Sequence, residues 1–356
     1  MLKNKIYRLS EIIKYLITPS PSMLYIGWLG HYNLGDEAIF EATSRVFKPI
    51  NTAYRIPISR ITINKILDLK PHVGTLLGGG TQIGEKSPLE SFKYGQERFG
   101  NGIVFGTGVS PVLGAEPPTW LKNWGKVLSR CKYVGVRGVD SARTLSKVGI
   151  NADVLGDTAC LFTKPAGYWT PKEKTLGINI GQSYGHVFGD ETEIKINVAR
   201  IVRILKSRGW DVEFFCVWPH DLKTARETAR YAGIECPVIH IHCENAEDYL
   251  KQIKNTTVFV GMKLHSVVLA ACAGVPSIML EYRPKCREFM NSIGMSRYTH
   301  RTDRLDVDLI IDQVESLEDN GKEISFVITN QMESHRLYIV ERAKSLKKLL
   351  QEYKDD

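Results

Sequence analysis

Short apolar runs alternate with glycine-containing loops and amphipathic segments along the first half of the chain. The apolar runs are three to six residues long, as in strands buried on both faces. In the segments between them, the apolar residues recur with the spacing of a helix. The predicted strands are 23–28, 74–77, 103–105, 133–136 and 153–155, and the predicted helices are 36–47, 119–131 and 139–147. This alternation indicates a parallel sheet covered by helices on both faces.

A change of composition at 163–175, where Pro165 and Pro171 restrict the backbone, predicts a linker. The alternation then restarts. The predicted strands of the second half are 176–180, 212–217, 237–241, 258–260 and 277–280, and the predicted helices are 191–208, 222–231, 246–254 and 264–273. The second half is therefore a second doubly wound domain.

The pattern predicts an α/β protein with two Rossmann-like domains, 22–165 and 175–315, that face a cleft. An amphipathic helix is predicted within 1–21, where a packed surface helix is favoured over a helix lying in a membrane interface. The C-terminal segment 316–356 is expected to form a helix, from about residue 332, that packs back across both domains. Ligands of open α/β sheets bind beyond the carboxyl ends of the strands, so the site is expected in loops that follow strands.

Composition narrows the choice of partners and compartment. The hydrophobic fraction is 43%, the charged fraction is 24% and the net charge is +8, which fits a globular protein with an anionic partner. The longest uncharged apolar run, 267–280, is too short and too interrupted to cross a bilayer. The seven scattered cysteines, with no C-x-x-C pair, indicate a reducing cytoplasm and argue against a zinc site. The basic residues are dispersed, so no nucleic-acid partner is expected.

Glycine-rich segments follow several predicted strands. The segment after the first strand contains Gly30, Asn33 and Asp36. Gly79 and Gly80 follow a later strand and residues 106–111 follow another, and both of these segments are predicted to form glycine turns. Glycines let the backbone approach a ligand, and a helix start offers free N–H groups. As a pattern the first segment is neither a dinucleotide nor a P-loop motif, and a helix cap at Asp36 is the simpler interpretation of that residue.

Cationic and titratable side chains follow other predicted strands. Arg137 ends one strand, where its guanidinium could bind a carboxylate or phosphate, or form only a surface ion pair. Lys263 and His265 alternate at a predicted helix start, a pattern that fits anion binding with proton transfer, or a histidine that is only structural. Tyr282 and Lys285 add a hydroxyl and a cation after the last predicted strand.

These motifs, in this order and spacing, resemble the polysaccharide pyruvyl transferase family over about residues 22–290. The motifs are G-x-x-N-x-G-D-E-A-I at 30–39, Gly-Gly-Gly at 78–80, Val136-Arg137 with Ser141 and Leu145, Gly156-Asp157 with Ala159, Leu264-His265 leading to Gly274-Val275-Pro276, and Tyr282-x-x-Lys285. One position departs from the family, which commonly has arginine where this chain has Lys263; lysine keeps the charge but loses the planar fork.

The resemblance implies a GT-B-like fold and an enzyme that transfers pyruvate from phosphoenolpyruvate to a sugar of a cell-surface polysaccharide or its precursor, forming a ketal. It implies His265 as catalytic acid and Asp157 as the residue that orients or deprotonates an acceptor hydroxyl, with Asp36 and Glu37 as competitors. The implied substrate-binding residues are Gly30, Asn33, Asp36, Gly79, Gly80, Arg137, Lys263, Ser266, Tyr282 and Lys285. No metal or other cofactor is expected. A cytoplasmic location is expected, with peripheral contact at the inner face of the membrane and a lipid-linked acceptor as further options.

Two alternatives remain at this level. A nucleotide-sugar glycosyltransferase of the same architecture would respond to a nucleotide sugar rather than to phosphoenolpyruvate. A non-catalytic anion- or glycan-binding module would not release phosphate from phosphoenolpyruvate.

Overall fold

The structure is a computed structural model that describes residues 17, 21–54, 72–112, 114 and 116–352. The amphipathic helix predicted over residues 2–16 lies outside the described residues. The chain forms two compact units. The first contains the described parts of Met1–Trp28, Ile39–Thr158 and Tyr338–Asp356, and the second contains Leu29–Ala38 and Ala159–Leu337.

The first unit is built on a seven-stranded parallel sheet in the order β2-β1-β3-β5-β6-β7, with β4 paired to β5. Its elements are β1 Ser22–Ile26, the part of α1 Leu34–Phe47 that begins at Ile39, β2 Asn51–Tyr54, β3 Thr75–Leu77, β4 Gly80–Ile83, α2 Lys86–Phe99, β5 Gly102–Val109, α3 Thr119–Leu128, β6 Tyr133–Val136, α4 Val139–Ser146 and β7 Asp153–Val154. Leu24, Leu77 and Val104 on neighbouring strands are fully buried and pack with Phe92 and Trp124 from the helices. Burial on both faces explains why these strands are apolar without alternation.

The second unit has a six-stranded parallel sheet in the order β10-β9-β8-β11-β12-β13. Its elements are β8 Thr175–Asn179, α5 Glu191–Ser207, β9 Asp211–Cys216, α6 Asp221–Tyr231, β10 Val238–Ile241, α7 Ala246–Ile253, β11 Val258–Gly261, α8 Leu264–Cys272, β12 Ser277–Glu281, α9 Pro284–Ser292, β13 Thr299–Arg301, α10 Val307–Asp319 and the beginning of α11 Gly321–Glu352. The chain moves from β8 to one edge and then crosses back to β11, so β8 and β11 form the topological switch point, where such sheets bind ligands.

Several elements differ from the sequence prediction. Helix α2 was not predicted, because its sequence is polar and contains Pro88 and Gly95. Proline is compatible with a first helical turn. A Cβ on Gly95 would lie 2.6 Å from the Thr75 side chain, so this glycine allows the helix to pack closely on the sheet. The prediction of a glycine turn at 106–108 was wrong, because these residues lie inside β5.

The predicted linker is an ordered part of the second unit. Residues 163–174, all of them described, form no helix or strand. Their backbone nevertheless bonds to the end of α7, with Thr170 N donating to Lys254 O at 3.1 Å and Lys172 N to Asn255 O at 2.8 Å. The Trp169 indole donates to Thr256 O at 2.7 Å. Backbone and side-chain bonds together fix this segment to the second sheet.

Helix α11 begins at Gly321, earlier than predicted, and its residues from Tyr338 onward belong to the first unit. There the Asp153 carboxylate accepts hydrogen bonds from the Tyr133 and Tyr338 hydroxyls, each at 2.7 Å. Arg342 Nε lies 3.2 Å from the same carboxylate. These charge-assisted contacts attach the helix to the edge strand β7.

Candidate active site

The loop between β11 and α8 lies at the switch point of the second sheet, and buried Asn179 at the end of β8 holds it. Asn179 Oδ1 accepts hydrogen bonds from Lys263 N at 2.9 Å and from Ser266 Oγ at 3.0 Å. Its Nδ2 donates to Phe215 O at 2.8 Å on the neighbouring strand. The amide thus fixes the backbone from which the Lys263 and His265 side chains project.

The His265 ring packs directly on Gly35. A Cβ at position 35 would lie 2.0 Å from His265 Nδ1, a distance that no side chain can occupy. Two motifs separated by 230 residues in the chain therefore meet inside the second unit. The glycine of the 30–39 motif makes room for the half-buried imidazole and limits where the ring can lie.

Hydrogen bonds attach segment Leu29–Ala38 to the loop after β9 and fix its own conformation. Leu34 N donates to Val217 O at 2.9 Å, and the Trp218 indole donates to His31 O at 3.0 Å. Asn33 Oδ1 accepts from Gly35 N at 3.1 Å at the start of α1, and Gly30 N donates to Glu37 Oε1 at 2.9 Å. Asn33 therefore acts as the helix cap that was considered for Asp36, which lies in the first turn of α1.

Two lysines converge on one aromatic ring. Lys263 Nζ and Lys285 Nζ lie 5.7 and 5.2 Å from the centre of the buried Tyr282 ring. Lys263 Nζ also donates to Gln182 O and lies 5.6 Å from the Trp218 ring. The nearby Glu281 carboxylate is paired with Arg287, whose Nε lies at 2.8 Å, so Arg287 balances its negative charge. The result is a cationic site with an imidazole two residues from one of the cations.

The Lys263 ammonium has a buried carboxylate as its partner. Asp221 is fully buried, and its Oδ1 lies 3.9 Å from Lys263 Nζ. A Cβ on Gly181 would lie 2.0 Å from Asp221 Oδ1 and 2.5 Å from Lys263 Cε, so the glycine allows both side chains to approach this loop. Burial raises the pKa of Asp221 to about 6, although the Lys263 charge and the Val217 N–H bond oppose the shift.

The raised pKa of Asp221 predicts a pH-dependent difference in stability between the protein and Asp221→Asn. Between the unfolded value of 3.8 and about 6, the folded state holds a proton that the unfolded state has released. The Asp221 contribution to the free energy of unfolding therefore falls as pH rises through this window. We expect urea unfolding to show Asp221→Asn gaining stability relative to the parent from pH 4 to 6, with a smaller further gain just above pH 6 and no change from pH 7 to 8.

Two thiols near Asp221 do not change charge in this range. Burial raises the pKa of the Cys216 thiol to about 12 and that of Cys243 to about 11, so both stay neutral. A stability difference between the two proteins that is constant from pH 4 to 8 would contradict the raised pKa.

In the first unit, the half-buried Arg137 follows β6 and lies over Gly108. A Cβ on Gly108 would lie 2.6 Å from Arg137 Nη2, so the glycine lets the guanidinium lie flat on the strand. Arg137 N donates to Thr107 O at 2.9 Å. Arg137 Nε is buried and has no hydrogen-bond partner within the described ranges. A buried charged donor of this kind fits an anionic ligand.

Asp157 lies at the same sheet edge as Arg137. It is 3% exposed and follows Gly156, whose φ of 97° requires glycine. Gly79 and Gly80 serve the packing of this unit: a Cβ on Gly79 would lie 2.7 Å from the Ile39 side chain, and Gly80 begins β4. Both glycines thus have a structural role, and their ligand contact stays a prediction.

The predicted site residues fall into two groups. The second unit brings together Lys263, His265, Tyr282 and Lys285 with the 30–36 segment, and the first unit brings Arg137 and Asp157 to one sheet edge. The structure corrects the predicted substrate-binding role of Ser266. Its buried hydroxyl shares its proton between Lys263 O at 2.6 Å and Asn179 Oδ1, and so holds the loop. Sequence analysis missed Asn179, Gln182, Trp218 and Asp221.

The described residues include no group of three or more His, Cys, Asp or Glu side chains placed to hold a metal ion. Within the same part of the chain, no helix is long and apolar enough to cross a membrane.

Two parallel sheets flanked by helices, each with its own switch point, define a GT-B-like α/β fold. A glycosyltransferase from Rickettsia africae has a TM-score of 0.62 at 10% identity, with 94% of this chain and 99% of that chain covered. A UDP-glucosyltransferase from Polygonum tinctorium has a TM-score of 0.54 at 10% identity, again with 94% and 99% covered. At this identity the likeness shows the fold alone.

The family model for polysaccharide pyruvyl transferase matches residues 33–284, most of the chain. The chain therefore belongs to the polysaccharide pyruvyl transferase family, as its motifs predicted. It is a transferase with a sugar acceptor. No curated protein sequence matches this chain.

Proposed function

We propose that the pyruvyl donor is phosphoenolpyruvate and that the Lys263–His265–Lys285 site of the second unit binds it. The observation that carries the proposal is the convergence of two ammonium groups on the Tyr282 ring, beside an imidazole held by Gly35. Phosphoenolpyruvate carries a phosphate and a carboxylate, so two cations match its two anionic groups. In the first unit, Arg137, with its buried Nε, is proposed as an anion-binding residue that the reaction also needs.

The transfer adds a proton to the methylene carbon of the donor and two oxygens to its central carbon. In the proposed sequence, His265 gives a proton to the methylene carbon, which becomes the methyl group, and the central carbon becomes electrophilic. One acceptor hydroxyl attacks that carbon and loses its proton to a base. The phosphate leaves with the C–O bonding electrons. A second hydroxyl of the same sugar then attacks the same carbon, loses its proton to the His265 imidazole and closes the ketal, which restores the acid. Cations at the phosphate stabilise the charge that develops on the leaving group.

Asp157 is proposed as the base or orienting group for the acceptor hydroxyl. It is buried at the sheet edge where Arg137 also lies, and a carboxylate there can accept a hydroxyl proton. Asp36, in the first turn of α1, is the competing candidate. Glu37 is the weaker competitor, because its carboxylate accepts the Gly30 N–H bond.

We also propose that the acceptor is a sugar of a cell-surface polysaccharide or its precursor, modified in the cytoplasm. All seven cysteines are free thiols, which supports a reducing compartment. Whether the acceptor is lipid-linked is tested by mass spectrometry of products from free, nucleotide-linked and lipid-linked sugars.

Titration calorimetry tests the donor. Phosphoenolpyruvate is expected to bind with an affinity that falls as the salt concentration is raised from about 50 to about 500 mM. Salt screens the ionic contacts, because the Debye length shortens from about 14 to about 4 Å over this range. Inorganic phosphate alone and pyruvate alone should each bind more weakly, since each offers only part of the charge.

A UDP-sugar is the comparator in the same titration. Tight binding of the UDP-sugar with no heat from phosphoenolpyruvate would overturn the proposed donor and favour a nucleotide-sugar glycosyltransferase. Binding of phosphoenolpyruvate without release of phosphate in the presence of any sugar would favour a non-catalytic anion-binding module.

A further inference from the structure

Three aromatic rings form a small cluster next to the cationic site of the second unit. The Trp218 ring centre lies 4.4 Å from that of His220 and 5.7 Å from that of Tyr184, and Tyr184 and His220 are 6.0 Å apart. Tyr184 is 53% exposed and His220 is exposed, whereas Trp218 is half-buried. We call Tyr184, Trp218 and His220 the aromatic shelf.

The shelf is held rigidly although it is exposed. Tyr184 has a φ of 52°, in the left-handed region that a bulky residue rarely adopts, so the surrounding loop must hold it there. Glu191 does so by accepting hydrogen bonds from Ser183 N at 3.0 Å, from Gly185 N at 3.3 Å and from the Ser183 hydroxyl. The Trp218 indole is fixed by its bond to His31 O at 3.0 Å.

The shelf is continuous with the proposed donor site. Lys263 Nζ lies 5.6 Å from the Trp218 ring, and the same ammonium donates to Gln182 O, two residues before Tyr184. A ligand lying on the shelf would therefore be next to the cation proposed to bind phosphoenolpyruvate. Three rings are too small a surface for a stable protein partner, which needs roughly 800 Å² on each side.

We propose that the aromatic shelf binds the sugar ring of the acceptor, an inference that rests on the proposed function. A pyranose has one face of C–H groups that can lie on an aromatic ring, and hydroxyls at its edge that can bond to polar groups. The shelf supplies both requirements: an apolar ring surface at Tyr184 and a polar imidazole at His220. Rigid aromatic side chains bind at low entropic cost, because little order is left to impose.

The test compares Tyr184→Ala with Tyr184→Phe and with Tyr231→Ala, an exposed tyrosine at the end of α6 that serves as the control. Tyr184→Ala is expected to raise the acceptor KM by about tenfold, the equivalent of about 1.4 kcal/mol. The dissociation constant for phosphoenolpyruvate and kcat at saturating acceptor should stay within about twofold of the parent. Tyr184→Phe keeps the ring and should remain close to the parent, as should Tyr231→Ala.

Saturation-transfer NMR with a panel of free sugars and UDP-sugars gives a readout that does not depend on turnover. The parent should transfer saturation to C–H protons of one sugar face, and Tyr184→Ala should lose this transfer. Transfer confined to the uracil protons of a UDP-sugar would overturn the proposal in favour of a nucleobase site.

The outcomes separate the shelf from the proposed function. An unchanged acceptor KM in Tyr184→Ala, in a protein that forms the ketal from phosphoenolpyruvate, would overturn the shelf alone. An equal loss of phosphoenolpyruvate affinity would also overturn it, since Tyr184 would then act through the Gln182–Lys263 contact. Sugar-face transfer in a protein that forms no product from phosphoenolpyruvate would support the shelf and overturn the donor assignment.

Discussion

His265→Gln is expected to lower turnover by roughly 10²- to 10⁴-fold, the usual contribution of a positioned acid. Glutamine keeps much of the size and hydrogen-bonding capacity of histidine but has no titratable proton for the methylene carbon. The affinity for phosphoenolpyruvate should change much less, because the charges at Lys263 and Lys285 remain. Steady-state kinetics and donor titration on the same preparation measure the two effects.

A purely structural His265 predicts the opposite pattern, with a lower melting temperature and nearly normal turnover per folded molecule. His335→Gln is the matched control, since the half-buried His335 ring on α11 bonds to the backbone carbonyl of Ser292 at 3.1 Å. Gly35→Ala keeps the imidazole but displaces it, so it should also reduce turnover if the position of the ring matters. A stable His265→Gln protein with a near-normal rate would remove His265 from the mechanism.

Reaction in heavy water examines the protonation step itself. If a proton is added to the methylene carbon during transfer, the product methyl group gains one deuterium, which mass spectrometry detects. A product methyl group without deuterium would contradict protonation by any exchangeable acid, including His265.

The strand-and-helix order of both units could be predicted from the sequence because buried parallel strands read as short apolar runs. Helix α2 could not be predicted, because a polar sequence with Gly95 inside it does not look helical. Glycine is needed there because the helix packs against Thr75 of the sheet, a contact that the local sequence does not show. The same holds for Gly106–Gly108, where glycines that look like a turn lie within β5, and Gly108 makes space for Arg137. Local sequence does not show which neighbour a missing side chain accommodates.

The charged and titratable residues of the candidate site could be picked out from the sequence, but the residues that hold them in position could not. His265 and Lys263 stand out because they follow an apolar strand and begin a helix. Asp221 carries no such signal, since its pairing with Lys263 depends on contact between loops 42 residues apart in the chain. Asn179 is similar, because a single amide at the end of β8 is informative only once β11 is known to be its neighbour.

The residues around position 263 explain why a lysine suits it. Its departure from the arginine common in the family keeps a compact ammonium between the Trp218 and Tyr282 rings, close to Asp221 and against Gly181. The lysine thus fits a site in which a buried carboxylate, rather than a bidentate fork, fixes the position of the cation.

Arg137→Ala is expected to weaken use of phosphoenolpyruvate by an amount on the order of 2–5 kcal/mol, measured as the loss in kcat/KM for the donor. The reason is that removal of the guanidinium leaves a ligand carboxylate or phosphate without its charge-assisted hydrogen bonds. The fold should be little affected, because the Arg137 backbone bond to Thr107 O is kept and the side chain packs over a glycine.

Two further variants decide what kind of contact Arg137 makes. Arg137→Lys keeps the charge and loses the planar fork, so an intermediate loss indicates a bidentate contact, whereas near-parent activity indicates that charge alone suffices. Arg143→Ala is the control: that exposed arginine on α4 pairs with Asp140 at 2.8 Å, and surface pairs of this kind are worth about 0–1 kcal/mol. If Arg137→Ala shows the same small effect as Arg143→Ala while circular dichroism shows an intact fold, Arg137 is a surface residue and the anion-binding role proposed from its buried Nε is wrong.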